Sequence, residues 1–217
     1  MSAEQKRVHV KVCGVTNVGD AVRCAELDVD AIGLNFVAQS PRCISIGEAK
    51  AIVRAVPKSL LVVGVVTNMT ISEMASLREA TGIGCLQLHG DEPESDVQAM
   101  LPHAYKAVRI GNEADVEKAR KFPGDYILVD AKVAGALGGT GARFDWNLVT
   151  SLARTRRLTL AGGLTPENVA EAVTTVQPFC VDTASGVEIA GAPRRKDFSR
   201  VAAFVRNTRN AALVLRS

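Results

Sequence analysis

Residues 60–90 read LLVVGVVTNMTISEMASLREATGIGCLQLHG, and this stretch decides the fold. It opens with an apolar, β-branched run ending at Val66, the composition of a strand covered on both faces. Ile71, Met74 and Leu77 then recur at three-residue steps, the spacing of one helix face, and Gly82 comes next as a stop signal. A second short run, CLQLH, ends at His89. Strand, helix and strand without a hairpin signal make a parallel pair joined by a crossover.

The same unit recurs on both sides of it. The runs VHVKV, AIGLNF, AYKAVRI and YILVD end at Val12, Phe36, Ile110 and Asp130, while RLTLAG and FCVDTA end near Gly162 and Ala184. Helical patterns lie between them: NVGDAVRCAELD, with Val18, Val22, Ala25 and Leu27 near one face, then EPESDVQAML, NEADVEKARKF, DWNLVTSLAR, TPENVAEAVTTV and KDFSRVAAFVRN. Thr165 reads as an N-cap with Pro166 at the first helical position. Eight units at steps of roughly 25 residues exceed the usual open doubly wound sheet and fit a compact, closed (β/α)8 barrel of the TIM type with parallel strands. No linker or low-complexity segment interrupts the chain. The expectation is one domain over residues 1–217, with the barrel proper over about 8–208.

Composition narrows the function classes. The 217 residues are 47% apolar and 23% charged, enough to bury a sizeable core, and the net charge is only +3. That charge gives no argument for nucleic acid or an anionic membrane surface. The basic runs at residues 154–157 and 194–196 carry no interleaved aromatics and read as solvated loops or helix ends. No apolar run reaches the roughly 18 residues of a membrane span. The start of the chain has no apolar signal segment, so a cytoplasmic enzyme is expected. Cys13, Cys24, Cys43, Cys85 and Cys180 are scattered without a CxxC pair, which argues against a disulfide framework or a zinc knuckle. Cys24, Cys85 and Cys180 read as small buried hydrophobes.

In such barrels the chemistry collects at the C-terminal ends of the strands. Gly162 and Gly163 come after the seventh strand, and Ser185 and Gly186 after the eighth. Glycine loops there let backbone N–H groups approach an anion, and these four residues are the expected phosphate site. Cys13 ends the first strand, where a thiolate can take a proton or attack carbon. Asp130 ends the sixth; a carboxyl in an apolar setting keeps its proton more readily and can serve as a general acid. Asp182 holds a similar position, Arg42 offers a planar fork for a carboxylate or phosphate, and His89 is a ligand, a base or a structural residue. Glycine-rich GALGGTGARFDW (135–146) separates Asp130 from the next helix. Gly138, Gly139 and Gly141 are expected to let it fold over a ligand, with Phe144 and Trp146 anchoring that helix to the barrel wall.

Six segments in order carry a resemblance: VKVCGVTN (10–17), DAIGLNFVAQSPRCIS (30–45), LQLHGDE (86–92), LVDAKVAGALGGTGARFDW (128–146), LAGGLTPENV (160–169) and VDTASGVE (181–188). The sequence resembles the phosphoribosylanthranilate isomerases of tryptophan biosynthesis. The resemblance implies a (β/α)8 barrel and an Amadori rearrangement of N-(5-phosphoribosyl)anthranilate, a small phosphorylated aminosugar, without metal or organic cofactor. It places Cys13 as general base, Asp130 as general acid and Arg42 against the anthranilate carboxylate. Gly162, Gly163, Ser185 and Gly186 fall on its phosphate loops, and Asp182, His89 and Gly139 line the substrate. The sequence departs from the family pattern at Cys43, where an aromatic is frequent, at Ile46, where proline is common, and in DTASG, which replaces the commoner DVSSG. These changes bear on substrate packing rather than on the reacting groups.

Acid and base need opposite protonation at the start, so Lys11 or backbone N–H groups are expected to favour a Cys13 thiolate. The rival readings are another sugar-phosphate barrel enzyme and a catalytically silent binder of phosphorylated ligands. A histidine-pathway isomerase would be expected to carry an acid where Cys13 stands. The sequence is silent on oligomeric state.

Overall fold

The computed structural model describes residues 7–131 and 145–215. Eight parallel strands run in chain order: β1 (His9–Cys13), β2 (Ala31–Asn35), β3 (Leu61–Val66), β4 (Cys85–Leu88), β5 (Ala104–Ile110), β6 (Tyr126–Ala131), β7 (Arg157–Leu160) and β8 (Cys180–Thr183). They close into a barrel, with β1 pairing β2 on one side and β8 on the other. The closing register sets Lys11 opposite Asp182. Every strand expected from the sequence is present, with ends shifted by a residue or two.

Helices cover the outside: α1 (Val18–Glu26), α2 (Ile46–Ala55), α3 (Ile71–Thr81), α4 (Glu94–Met100), α5 (Glu113–Lys121), α6 (Thr150–Ala153), α7 (Val169–Val176) and α8 (Phe198–Val214). A 3-10 turn, Trp146–Val149, leads into the short α6, and Trp146 is buried as expected. Helix α2 is not among the helical patterns read from the sequence, although Ala49, Ile52, Val53 and Val56 recur at helical spacing and pack on the core. Its start is also marked by a capping box, Ser45 and Glu48 exchanging side-chain and backbone bonds. Gly82 does end α3, in the left-handed conformation at φ 77°.

Three local expectations are corrected. In α1 the inward face is Asp20, Ala21 and Cys24, while Val18 is exposed. Asp20 is drawn inward because its carboxylate accepts the Lys196 backbone N–H. In α3, Met74 and Leu77 are buried but Ile71 is exposed, as its place in the first turn allows. Helix α7 begins at Val169, not at Pro166, because Asn168 turns back to accept the Thr165 N–H and donate to the Gly163 carbonyl. A further antiparallel pair, β9 (Glu188–Ile189) with β10 (Ala192–Lys196), comes after β8.

Strand alternation sorts the side chains. Val10, Val12, Ile32, Leu34, Leu86, Leu88, Ile127, Val129, Leu158 and Leu160 belong to one large cluster with the helices. The opposite parity faces the lumen, where a small cluster of Ala107, Leu128 and Ala161 packs with Tyr105. The lumen also carries charge: Lys11 Nζ donates to Asp182 Oδ2 (2.8 Å) and across the barrel to Gln87 Oε1 (3.1 Å). The apolar interior expected from the strand composition is thus polar at one level. The five cysteines are free; Cys24 and Cys180 are buried as expected, and Cys85 is half-buried. No helix among the described residues is long and apolar enough to cross a membrane.

Candidate active site

A cavity of about 320 Å³ lies at the C-terminal ends of the strands. Cys13, Arg42, His89, Asp130 and Asp182 all line it. So do Gly162, Gly163, Ser185 and Gly186. Gly139, with the rest of the glycine-rich stretch up to Phe144, lies outside the described residues.

The two glycine loops are locked together. Thr183 Oγ1 donates to the Leu164 carbonyl (2.7 Å), and Arg200 Nε donates to the Gly186 carbonyl (2.8 Å). A Cβ on Gly186 would stand 2.1 Å from that same Leu164 oxygen, so only glycine fits the junction. Among the described residues none accepts a hydrogen bond from the backbone N–H of Gly163, Ser185 or Gly186. All three residues line the same cavity, and backbone N–H groups left unengaged there are suited to an anion.

Asp130 is buried at the end of β6, with Oδ1 accepting the Ala131 N–H at 2.8 Å. Gly162, at φ 90°, passes so close that a Cβ there would lie 3.0 Å from this oxygen. Oδ2 accepts no hydrogen bond among the described residues, and His89 Nε2 stands 3.5 Å from it. Across the cavity, desolvation of the Cys13 sulfur pushes its thiol above the ordinary range. Lys11 and Lys196 pull toward the thiolate but do not outweigh that burial. The expected thiolate-favouring role of Lys11 is therefore present in direction only, because its ammonium is committed to Asp182 and Gln87. Burial is the largest influence on Lys11 and opposes its charge, but Asp182 together with Cys13 and Tyr105 outweighs it and holds the ammonium well above the usual lysine range.

Arg42 does not present its whole fork to the cavity. Nε and Nη2 donate to the two oxygens of Glu188 (2.7 and 2.6 Å), which leaves Nη1 without an acceptor among the described residues. Lys196 Nζ, fully buried, joins Glu188 Oε1 (2.9 Å) to the Cys13 carbonyl (2.7 Å). Lys11, Gln87, Glu188 and Lys196 thus support the cavity, although the sequence motifs give none of them a substrate role. The second basic run is absorbed here and at the carbonyls of Pro41 and Cys43, which Arg194 binds. Among the described residues no three His, Cys, Asp or Glu side chains converge as a metal site requires.

A closed parallel barrel with its cavity at the strand ends, and glycine loops after the seventh and eighth strands, defines the class of (β/α)8 barrels built to hold phosphorylated ligands. The family model for N-(5'-phosphoribosyl)anthranilate (PRA) isomerase matches residues 10–207, and the chain belongs to that family. It is 44% identical over 201 residues to the N-(5'-phosphoribosyl)anthranilate isomerase of Pseudomonas aeruginosa strain LESB58, covering 91% of this chain and 93% of the relative. The crystal structure of phosphoribosyl anthranilate isomerase from Thermotoga maritima superposes with a TM-score of 0.85 at 37% identity, over 94% of this chain and 99% of that one. A further isomerase structure, in complex with reduced 1-(o-carboxyphenylamino)-1-deoxyribulose 5-phosphate, gives a TM-score of 0.84 at 34% identity, over 94% and 99% of the two chains.

Proposed function

We propose that this chain converts N-(5'-phosphoribosyl)anthranilate to 1-(2-carboxyphenylamino)-1-deoxyribulose 5-phosphate in tryptophan biosynthesis, as one barrel domain acting in the cytoplasm. The observation that carries the assignment of roles is that Cys13 and Asp130 open onto one cavity that is also lined by Gly163, Ser185 and Gly186, whose N–H groups have no acceptor among the described residues.

The phosphate sits on the Gly163, Ser185 and Gly186 N–H groups, and Gly162 brings the cradle against Asp130. The Nη1 end of Arg42 takes the anthranilate carboxylate. Asp130 gives its proton from Oδ2 to the furanose ring oxygen, whose bond to C1 breaks as the nitrogen lone pair forms an iminium. That cation acidifies C2–H. Cys13, as thiolate, takes the proton, and the C–H electron pair moves to C1–C2, neutralising nitrogen and leaving an enolamine. A proton added at C1 and the loss of the C2 hydroxyl proton then give the ketone, with the formula unchanged. Asp182 Oδ1, buried without a partner among the described residues, supplies an acceptor for a sugar hydroxyl.

The test is the loss of anthranilate-adduct fluorescence on mixing with substrate. Cys13→Ala and Asp130→Asn are each expected to lower turnover by about 10²–10⁴-fold, the usual contribution of a placed acid or base. A double variant that turns over like the parent ends the assignment; a parent that binds the substrate without converting it identifies a silent binder instead.

A further inference from the structure

We propose that Gln87 is a positioning residue that fixes the tautomer of His89, so that His89 Nε2 carries the ring proton and stands as the donor beside Asp130. The kinetic consequence rests on the proposed isomerase reaction; the tautomer itself does not.

Donors and acceptors decide the tautomer. Gln87 is buried on β4, so each end of its amide needs a partner of the right kind. Lys11 Nζ has only donors, and it lies 3.1 Å from one end; that end is the carbonyl. The Tyr105 hydroxyl donates to the same oxygen at 3.1 Å. The other end is then the NH₂ group, which can only donate, and it lies 2.9 Å from His89 Nδ1. Nδ1 must offer its lone pair, since an N–H there would face N–H groups. The ring proton is left on Nε2.

That nitrogen is buried, has no hydrogen-bond partner among the described residues, and faces Asp130 Oδ2 at 3.5 Å. Asp130 Oδ1 is already held by the Ala131 N–H. Oδ2 is therefore the oxygen whose charge changes when the acid works, and the Nε2–H lies ready to stabilise the carboxylate left behind. Asp182 completes the device from β8: it holds Lys11 in place, and Lys11 holds the amide the right way round. Four strands, β8, β1, β4 and β6, are linked in a row from Asp182 to Asp130.

Two-bond ¹H–¹⁵N spectra of protein labelled in histidine test the tautomer directly. The chain has three histidines, and His89→Asn identifies the signal. The unsubstituted protein is expected to show the proton on Nε2. Gln87→Glu keeps the size but puts an acceptor against Nδ1, so a proton must move there. The His89 pattern is expected to change, with kcat lower by about 10–100-fold, the range for losing a group that orients a site residue, and with KM nearly unchanged. Tyr105→Phe leaves Lys11 on the carbonyl and should keep the parent pattern. A proton on Nδ1 in the unsubstituted protein, or Gln87→Glu with both the parent spectrum and the parent kcat, overturns the proposal. Should Gln87→Glu fail to fold, the unsubstituted and Tyr105→Phe spectra decide it. Should the protein not turn over this substrate, the function is refuted while the tautomer assignment stands or falls by the same spectra.

Discussion

Replacing Glu188 by glutamine tests how the β9–β10 pair serves the cavity. One carboxylate accepts three charge-assisted bonds, at 2.7 and 2.6 Å from Arg42 and 2.9 Å from Lys196. The side chains are nearly sealed from water: 6% exposed for Glu188, 13% for Arg42 and 0% for Lys196. Removing one partner of a buried pair costs about 3–5 kcal/mol, because the remaining charge stays desolvated. Here two cations lose one anion, but glutamine keeps an acceptor oxygen, Arg42 opens onto the cavity, and Lys196 retains the Cys13 and Ala184 carbonyls. The lower end, about 3 kcal/mol, is expected. For a chain of this size each kcal/mol lowers Tm by about 2–4 °C, so the fall is about 6–12 °C.

The loss carries a pH signature. Burial already pulls the Lys196 ammonium below the ordinary lysine range, with Glu188 opposing it. Without Glu188 the folded variant holds that proton less tightly than the unfolded chain does. Where the unfolded state binds more protons, stability rises with pH. The gap between Glu188→Gln and the parent is therefore expected to narrow as pH rises toward the ordinary lysine value. Thermal unfolding by circular dichroism over a pH series measures this, and steady-state kinetics should show a higher KM as Arg42 loses its fixed orientation. A variant within about 1 °C of the parent at neutral pH, with unchanged KM, would refute the reasoning that the three groups act as one buried unit.

Two other outcomes are expected at the cavity. Gly186→Ala forces a Cβ against the Leu164 carbonyl at 2.1 Å, so the joined loops must part. Displacement of about 1 Å at a positioned site costs about 10²-fold in kcat/KM, and inorganic phosphate should inhibit the variant correspondingly less well; unchanged inhibition removes these loops from the phosphate site. Because burial raises the Cys13 thiol, iodoacetamide should modify Cys13 slowly at neutral pH and faster as pH rises, with a midpoint above that of an ordinary thiol. Site-resolved mass spectrometry reads this, and rapid modification at neutral pH would contradict the raised thiol.

The strand ends are legible in the sequence because apolar runs and turn residues mark where each strand stops, and a barrel needs little more than their order. Cys13, His89, Asp130 and Asp182 are found that way. The groups that hold them are not, since their partners are distant in the chain: Lys11 meets Gln87 across 76 positions, and Arg42 meets Glu188 across 146. A lone lysine or glutamine inside an apolar run carries no mark of what it faces. Glu188 lies in a short antiparallel pair that the strand–helix beat does not include.

Parity nonetheless contains part of the answer. Side chains two apart on a strand share a face, so the residues two before Cys13 and His89 have to point into the same lumen. Those residues are Lys11 and Gln87, a cation and an amide placed in a space that admits no bulk water. Groups of that kind persist in a barrel interior only if they satisfy one another. Their presence on β1 and β4 therefore requires a carboxylate at matching depth, and Asp182, level with Lys11 in the closing register, is the one that meets it.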